Sequence, residues 1–230
     1  MENSETGDNS DKRCDNRPVS VAIIDDHPAV VAGVEGWYAK ARPPIEVAAA
    51  GPDVKVAWVG PGRHACVIVF DLQLGNSTPA YGDLKRLVDD GRQVIVYSMR
   101  DDQDTALNCL DIGAFTYLTK AEGDTHLVAA TRAAAELRPY TPPALSGAFG
   151  ADSRPGRPHL SERETDVLVE WFKSESKQLV AAKLNLSLRT VTSYIDRVRI
   201  KYANVGRSAP TKAALVARAI QDGLVRLDDL

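Results

Sequence analysis

The chain predicts an α/β module built on a doubly wound, parallel five-stranded sheet, followed by a small all-α domain. Three observations carry this. Short apolar runs alternate with helix-period segments up to about residue 137. A stretch rich in proline, glycine and serine follows, from Arg138 to His159. Beyond it every segment has helical periodicity.

The strands are expected at Val19–Ile24, Ile45–Ala49, Cys66–Phe70, Gln93–Tyr97 and Phe115–Leu118. Their nearly continuous apolar character suits a sheet covered on both faces. A helix starts at Pro28, with Val30, Val34, Trp37 and Ala41 on one stripe. Further helices fall at about 80–90, 102–112 and 124–136. Pro52–His64 gives no clear pattern, because Gly60, Pro61 and Gly62 interrupt it.

In the C-terminal part, Ser161 and Glu164 form a capping box before Val167, Leu168 and Trp171. Ser176 caps a second helix carrying Leu179, Val180 and Leu184. Ser187 caps a third, with Val191, Ile195, Val198 and Tyr202 on its apolar stripe. Pro210 is expected in the first turn of a fourth, which runs to about Gln221 and stops at Gly223. The organisation is therefore a disordered tail (1–18), an α/β domain (19–137), a linker (138–159) and a helical domain (160–230).

Bulk composition agrees. Hydrophobic residues make up 44% and charged residues 26%, a soluble globular profile rather than a disordered or membrane one. No apolar run reaches the ~18–20 residues that span a bilayer, so no membrane association is expected. The first 18 residues are polar and resemble neither a signal nor a transit peptide. Cys14, Cys66 and Cys109 have no metal-ligand spacing and read as reduced thiols in a cytoplasmic protein. Net charge is uneven: −7 over residues 1–155 and +4 over 156–230. A basic domain beside an acidic one suggests separate partners, the basic one nucleic acid.

Ligands of open α/β sheets bind beyond the carboxyl ends of the strands. Here those ends carry Asp25 and Asp26, then Asp71, Ser98 and Lys120. Three converging carboxylates need a cation, and hard oxygen ligands suit Mg²⁺. Lys120 can pair with a carboxylate or with phosphate oxygens, and Ser98 can donate to a phosphoryl oxygen. Any one of these residues alone would read as a turn residue, a helix cap or a surface lysine. Their order at separate strand ends is what carries the functional reading.

This constellation resembles the receiver domain of two-component response regulators. The resemblance implies that Asp71 is the phosphoacceptor, phosphorylated by a sensor histidine kinase. It implies that Asp25, Asp26 and Asp71, with the backbone carbonyl of Gln73, hold Mg²⁺. Ser98 and Lys120 would contact the phosphoryl group, and Tyr117 falls at the family's switch aromatic. The chain departs from the family where Gly75 stands near a usual proline and Ala121 follows Lys120.

Leu160–Val225 is similar to the LuxR/NarL-type helix-turn-helix domain, through Leu160-Ser161-Glu162-Arg163-Glu164 and Leu184-Asn185-Leu186-Ser187-Leu188-Arg189-Thr190-Val191. The third helix would then lie in the major groove of double-stranded DNA. Thr192, Ser193 and Tyr194 are placed on bases or their backbone, Arg197 and Lys201 on phosphates, and Arg189 and Thr190 on the same DNA-binding surface. Arg207 and Lys212 flank the turn into the last helix, within reach of the backbone. A homodimer reading an inverted repeat is expected, because one such domain contacts few base pairs. Ala213, Val216, Ala217 and Ile220 form a small-residue face suited either to self-contact or to closing the domain core. The expected function is a transcriptional regulator switched by aspartyl phosphorylation, not an enzyme. Two alternatives stay open: a regulator that ignores phosphorylation and answers to a ligand or partner, and a protein-binding adaptor without DNA contact.

Overall fold

The computed structural model describes residues 18–75, 78–138, 140–143, 157–226 and 228. Nearly all of the expected tail, and residues 144–156 of the expected linker, lie outside them. The strands are β1 (Ser20–Ile24), β2 (Glu46–Gly51), β3 (Val67–Phe70), β4 (Gln93–Ser98) and β5 (Thr116–Thr119). They form one sheet in the order β2-β1-β3-β4-β5, with every neighbouring pair parallel. The helices of this domain are α1 (Pro28–Lys40), α2 (Tyr81–Asp89), α3 (Gln103–Ile112) and α4 (Gly123–Ala135).

Side chains alternate across a strand, so each strand serves two cores. Val21, Ile23, Val67, Val69, Ile95, Tyr97 and Leu118 pack on one face with Val34 and Tyr38 of α1 and Leu127 and Ala130 of α4. Ala22, Ile24, Ile68, Phe70, Val94, Val96 and Tyr117 pack on the other with Leu84 and Val88 of α2 and Cys109 and Leu110 of α3. This two-sided burial explains the unbroken apolar runs.

The ambiguous stretch after β2 forms two 3-10 segments, Val54–Ala57 and Gly60–His64, in place of an α-helix. A Cβ on Gly62 would sit 2.1 Å from the Val56 carbonyl oxygen, so only glycine fits this approach. Arg92, only 4% exposed, holds the segment. Its guanidinium donates to the carbonyls of Ala57 and Arg63 at 3.0 Å, Gly62 at 2.8 Å and Ala65 at 3.4 Å. One side chain thus satisfies acceptors that a helix would have satisfied internally. Arg92→Ala is expected to destabilise the chain by about 3 kcal/mol, through buried carbonyls left without donors. A denaturant midpoint unchanged from the parent would refute this role.

The remaining helices are α5 (Glu162–Lys173), α6 (Lys177–Leu184), α7 (Leu188–Asn204) and α8 (Lys212–Gln221). The capping box forms as read: Ser161 Oγ accepts from Glu164 N–H at 3.2 Å, and Glu164 Oε2 from Ser161 N–H at 2.8 Å. Ser176 and Ser187 cap α6 and α7. Pro210 is a correction. It precedes the helix, because Thr211 is the cap, its hydroxyl accepting from Ala214 N–H at 3.1 Å. The thiols need a second one. Cys109 is free and buried, but Cys66 is disulfide-bonded, with its partner outside the described residues.

Candidate functional site

The carboxyl ends of β1, β3 and β5 bring Asp25, Asp71 and Lys120 together. Lys120 Nζ lies 2.8 Å from Asp25 Oδ2 and 2.8 Å from Asp71 Oδ2, with all three side chains nearly buried. Asp26 turns its Oδ2 to the Gly75 N–H at 2.7 Å. Gly75 has φ +62°, and a proline at 75 could supply neither that backbone nor that donor. The departure from the family pattern therefore has a local reason.

Ligand atoms of Asp25, Asp26, His27 and Asp71 lie within 4.8 Å of one another, a set that could hold a metal ion. Asp26 Oδ1 is buried and accepts no hydrogen bond from the described residues, although His27 Nδ1 stands 2.9 Å away, out of line. An unfilled carboxylate oxygen facing two other carboxylates fits a hard divalent cation. His27 was not singled out in the sequence, and its place directly after the Asp-Asp pair is the signal that could have found it.

Burial pushes the Asp71 carboxyl above the usual carboxylate range, against the pull of Lys120 and of the Gln73 N–H. Burial pulls the Lys120 ammonium down, but its hydrogen bonds to Asp25 and Asp71 outweigh this and hold it above its ordinary value. The pocket thus keeps its lysine charged and strains to keep its acceptor ionised. Gln73 donates its N–H to Asp71 Oδ1 at 3.1 Å. Ser98 is fully buried at the end of β4. Tyr117 is buried on β5 and donates to the Arg100 carbonyl at 2.8 Å. Burial raises its hydroxyl to about 12, with the Ser98 side chain pulling the other way.

The second group of residues lies on and around α7. The stripe Val191, Ile195, Val198 and Tyr202 is fully buried in the domain's own core, as read. Arg189 is exposed and Thr192 half-buried, whereas Thr190 is 2% exposed. Ser193, Tyr194 and Arg197 are buried too. The α/β domain covers them. Gln93 donates to Ser193 Oγ at 2.7 Å, Tyr194 to Asp89 Oδ1 at 2.8 Å, and Arg197 to the Arg92 carbonyl at 3.4 Å. Lys201 reaches the Leu110 carbonyl at 3.4 Å and pairs with Glu164 at 2.7 Å. In this arrangement Ser193, Tyr194 and Arg197, which the sequence assigns to a DNA surface, meet the α/β domain instead. Arg207 pairs with Asp222 at 2.6 Å, and Lys212 donates to the Ser174 carbonyl at 2.8 Å, so both are engaged within the small domain. Asp89 and Gln93 had no signal in the sequence, because their partners lie about a hundred positions away.

The comparisons with known proteins follow the same division. Residues 21–132 match the response regulator receiver domain, and residues 158–204 match the bacterial regulatory proteins of the luxR family. The chain is similar to the nitrate/nitrite response regulator protein NarP of Escherichia coli, 29% identical over 89% of this chain and 98% of that one. It is similar to the DNA-binding transcriptional activator EvgA of the same organism, 26% identical over 80% and 91%. Among solved structures, Salmonella typhimurium RcsB shares the fold at 22% identity and a TM-score of 0.52, over 87% of this chain and 97% of that one. With both domains in this order, the chain is a two-component response regulator of the LuxR/NarL type.

Proposed function

We propose that this DNA-binding transcriptional regulator is switched by Mg²⁺-dependent phosphorylation of Asp71 from a sensor histidine kinase. The observation that carries this is the pocket itself, where Lys120 bridges Asp25 and Asp71 beside an unfilled Asp26 oxygen. Asp71 attacks the phosphorus of a phosphohistidine, the P–N bond breaks, and the imidazole leaves. Asp25, Asp26, Asp71 and the Gln73 carbonyl would hold Mg²⁺, which offsets charge on the transferring group. Lys120 gives up its Asp71 contact to the incoming phosphoryl oxygens. Ser98 donates to one of them, and Tyr117 moves as Ser98 does.

The same reading assigns Thr192, Ser193 and Tyr194 to bases or their backbone in a major groove, Arg197 and Lys201 to phosphates, and Arg189 and Thr190 to the same surface. Arg207 and Lys212 support the turn beside that surface. The docking of Ser193, Tyr194 and Arg197 against the receiver supports a closed, unphosphorylated form whose recognition helix is masked. Phosphorylation then favours the open form. A homodimer on an inverted repeat is favoured by α8, where Ala213, Ala217 and Ile220 are exposed while Leu215 and Ala219 close the core. The boundaries 19–137, 138–159 and 160–230 are retained as functional units. No described helix is long and apolar enough to cross a membrane, in keeping with a cytoplasmic regulator.

The test is a duplex-binding titration before and after treatment with a small phosphodonor and Mg²⁺. Affinity is expected to rise on phosphorylation and to fall steeply with salt. Tight binding unaffected by the phosphodonor would favour the phosphorylation-independent reading instead.

A further inference from the structure

The cations of α7 do not meet receiver carboxylates one for one. Arg197 is 2% exposed, and its hydrogen bond to the receiver goes to a backbone carbonyl, that of Arg92. Its Nε and Nη2 are buried without a hydrogen-bond partner among the described residues. Lys201 likewise reaches a carbonyl, that of Leu110. Asp89, which accepts from Tyr194, is the last residue of α2, and Leu110 lies in the last turn of α3. Carbonyls at a helix C-terminus carry partial negative charge, roughly half an electron per helix. One helix-end carbonyl (Leu110), the turn carbonyl of Arg92 and the Asp89 carboxylate therefore offer a row of oxygen acceptors to a helix bearing arginine, lysine and tyrosine. A nucleic-acid backbone offers the same row to the same residue types. The receiver's version is the weaker, since it leaves two arginine donors unfilled where a phosphate carries a full charge.

We infer that this edge of the receiver is a stand-in for a phosphate backbone, and that duplex DNA of any sequence displaces it from α7. The inference rests on α7 being the DNA-binding helix. It adds that opening requires neither phosphorylation nor a target sequence, only a linear polyanion at low salt. Binding and opening then favour each other by one common factor. Non-target DNA becomes a partner that holds the chain open.

The test uses the unphosphorylated full chain and a short duplex of random sequence. Binding is read by fluorescence anisotropy, and opening by backbone hydrogen exchange over residues 86–93 and 109–113. Exchange there is expected to rise as the duplex saturates and to fall back in high salt. Asp89→Ala alters a residue that no DNA touches in this arrangement, and is expected to tighten random-duplex binding roughly five- to tenfold. A saturating duplex that leaves the exchange unchanged overturns the inference, since DNA then binds with α7 still docked. Equal affinities of parent and Asp89→Ala overturn it too. Binding of a selected target but of no random duplex overturns it alone, leaving the DNA-binding reading intact. Failure to bind any duplex, phosphorylated or not, overturns both.

Discussion

Asp71→Asn should yield a chain that gains no phosphoryl mass after incubation with a small phosphodonor and Mg²⁺. The amide is a poor nucleophile, and it also removes one of the carboxylates that converge on the cation. Loss should be complete rather than partial if Asp71 is the acceptor, since Asp25 and Asp26 are assigned to the cation. Folding supplies the control. Burial holds the folded-state carboxyl of Asp71 above its unfolded value. The ionised group therefore costs stability at neutral pH, and that cost fades as pH falls through the folded-state value and is gone below the unfolded one. Without metal, the Asp71→Asn chain should melt no lower than the parent at neutral pH, and any advantage should shrink in acid. Phosphoryl uptake at the parent rate, read by intact mass, would show that another residue is the acceptor.

Gly91→Ala should prise the two domains apart. Gly91 has φ +76°, in the turn between α2 and β4, where an L-residue costs about 1–2 kcal/mol. Its new Cβ would also stand 3.1 Å from Thr190 Cα and 3.3 Å from Thr190 N. Backbone atoms of a helix start cannot yield as a flexible side chain would, so α7 must lift. Two readouts separate the effects. The strain lowers the melting temperature of the receiver, whereas the wedge raises the DNA affinity of the unphosphorylated chain, about tenfold for a loss near 1.4 kcal/mol of docking. A lower melting temperature with unchanged DNA affinity would mean that the domains tolerate the methyl group and that docking does not mask α7.

Much of this was legible in the sequence, for reasons that are local. β-branched runs declare buried parallel strands, and serines three residues before helical amides declare caps, as at Ser161, Ser176 and Ser187. The pocket was legible because strand ends fix where Asp25, Asp71, Ser98 and Lys120 emerge. What escaped is non-local. Nothing near Pro52–His64 announces that a guanidinium thirty positions on will satisfy its carbonyls. Nothing in α7 distinguishes a polar face awaiting DNA from one resting on Asp89 and Gln93, since the same hydroxyls and cations serve both. Pro210 was misplaced by one cap position, because Thr211 competes for the same helix start and has the hydroxyl to win. Cys66 was misread because no spacing in the sequence announces its disulfide.

The docked face joins two parts of one chain, and its few polar contacts should be weighed by that fact. Tethered modules meet at an effective concentration of about millimolar, however weak their mutual surface. A surface that would dissociate at once between separate molecules can therefore be mostly closed here. A gain or loss of about 1.4 kcal/mol in such a surface shifts the ratio of shut to open molecules tenfold. Strong contacts would have locked such an intramolecular pair. A long carbonyl bond at Arg197, and two guanidinium nitrogens without a hydrogen-bond partner among the described residues, leave it responsive.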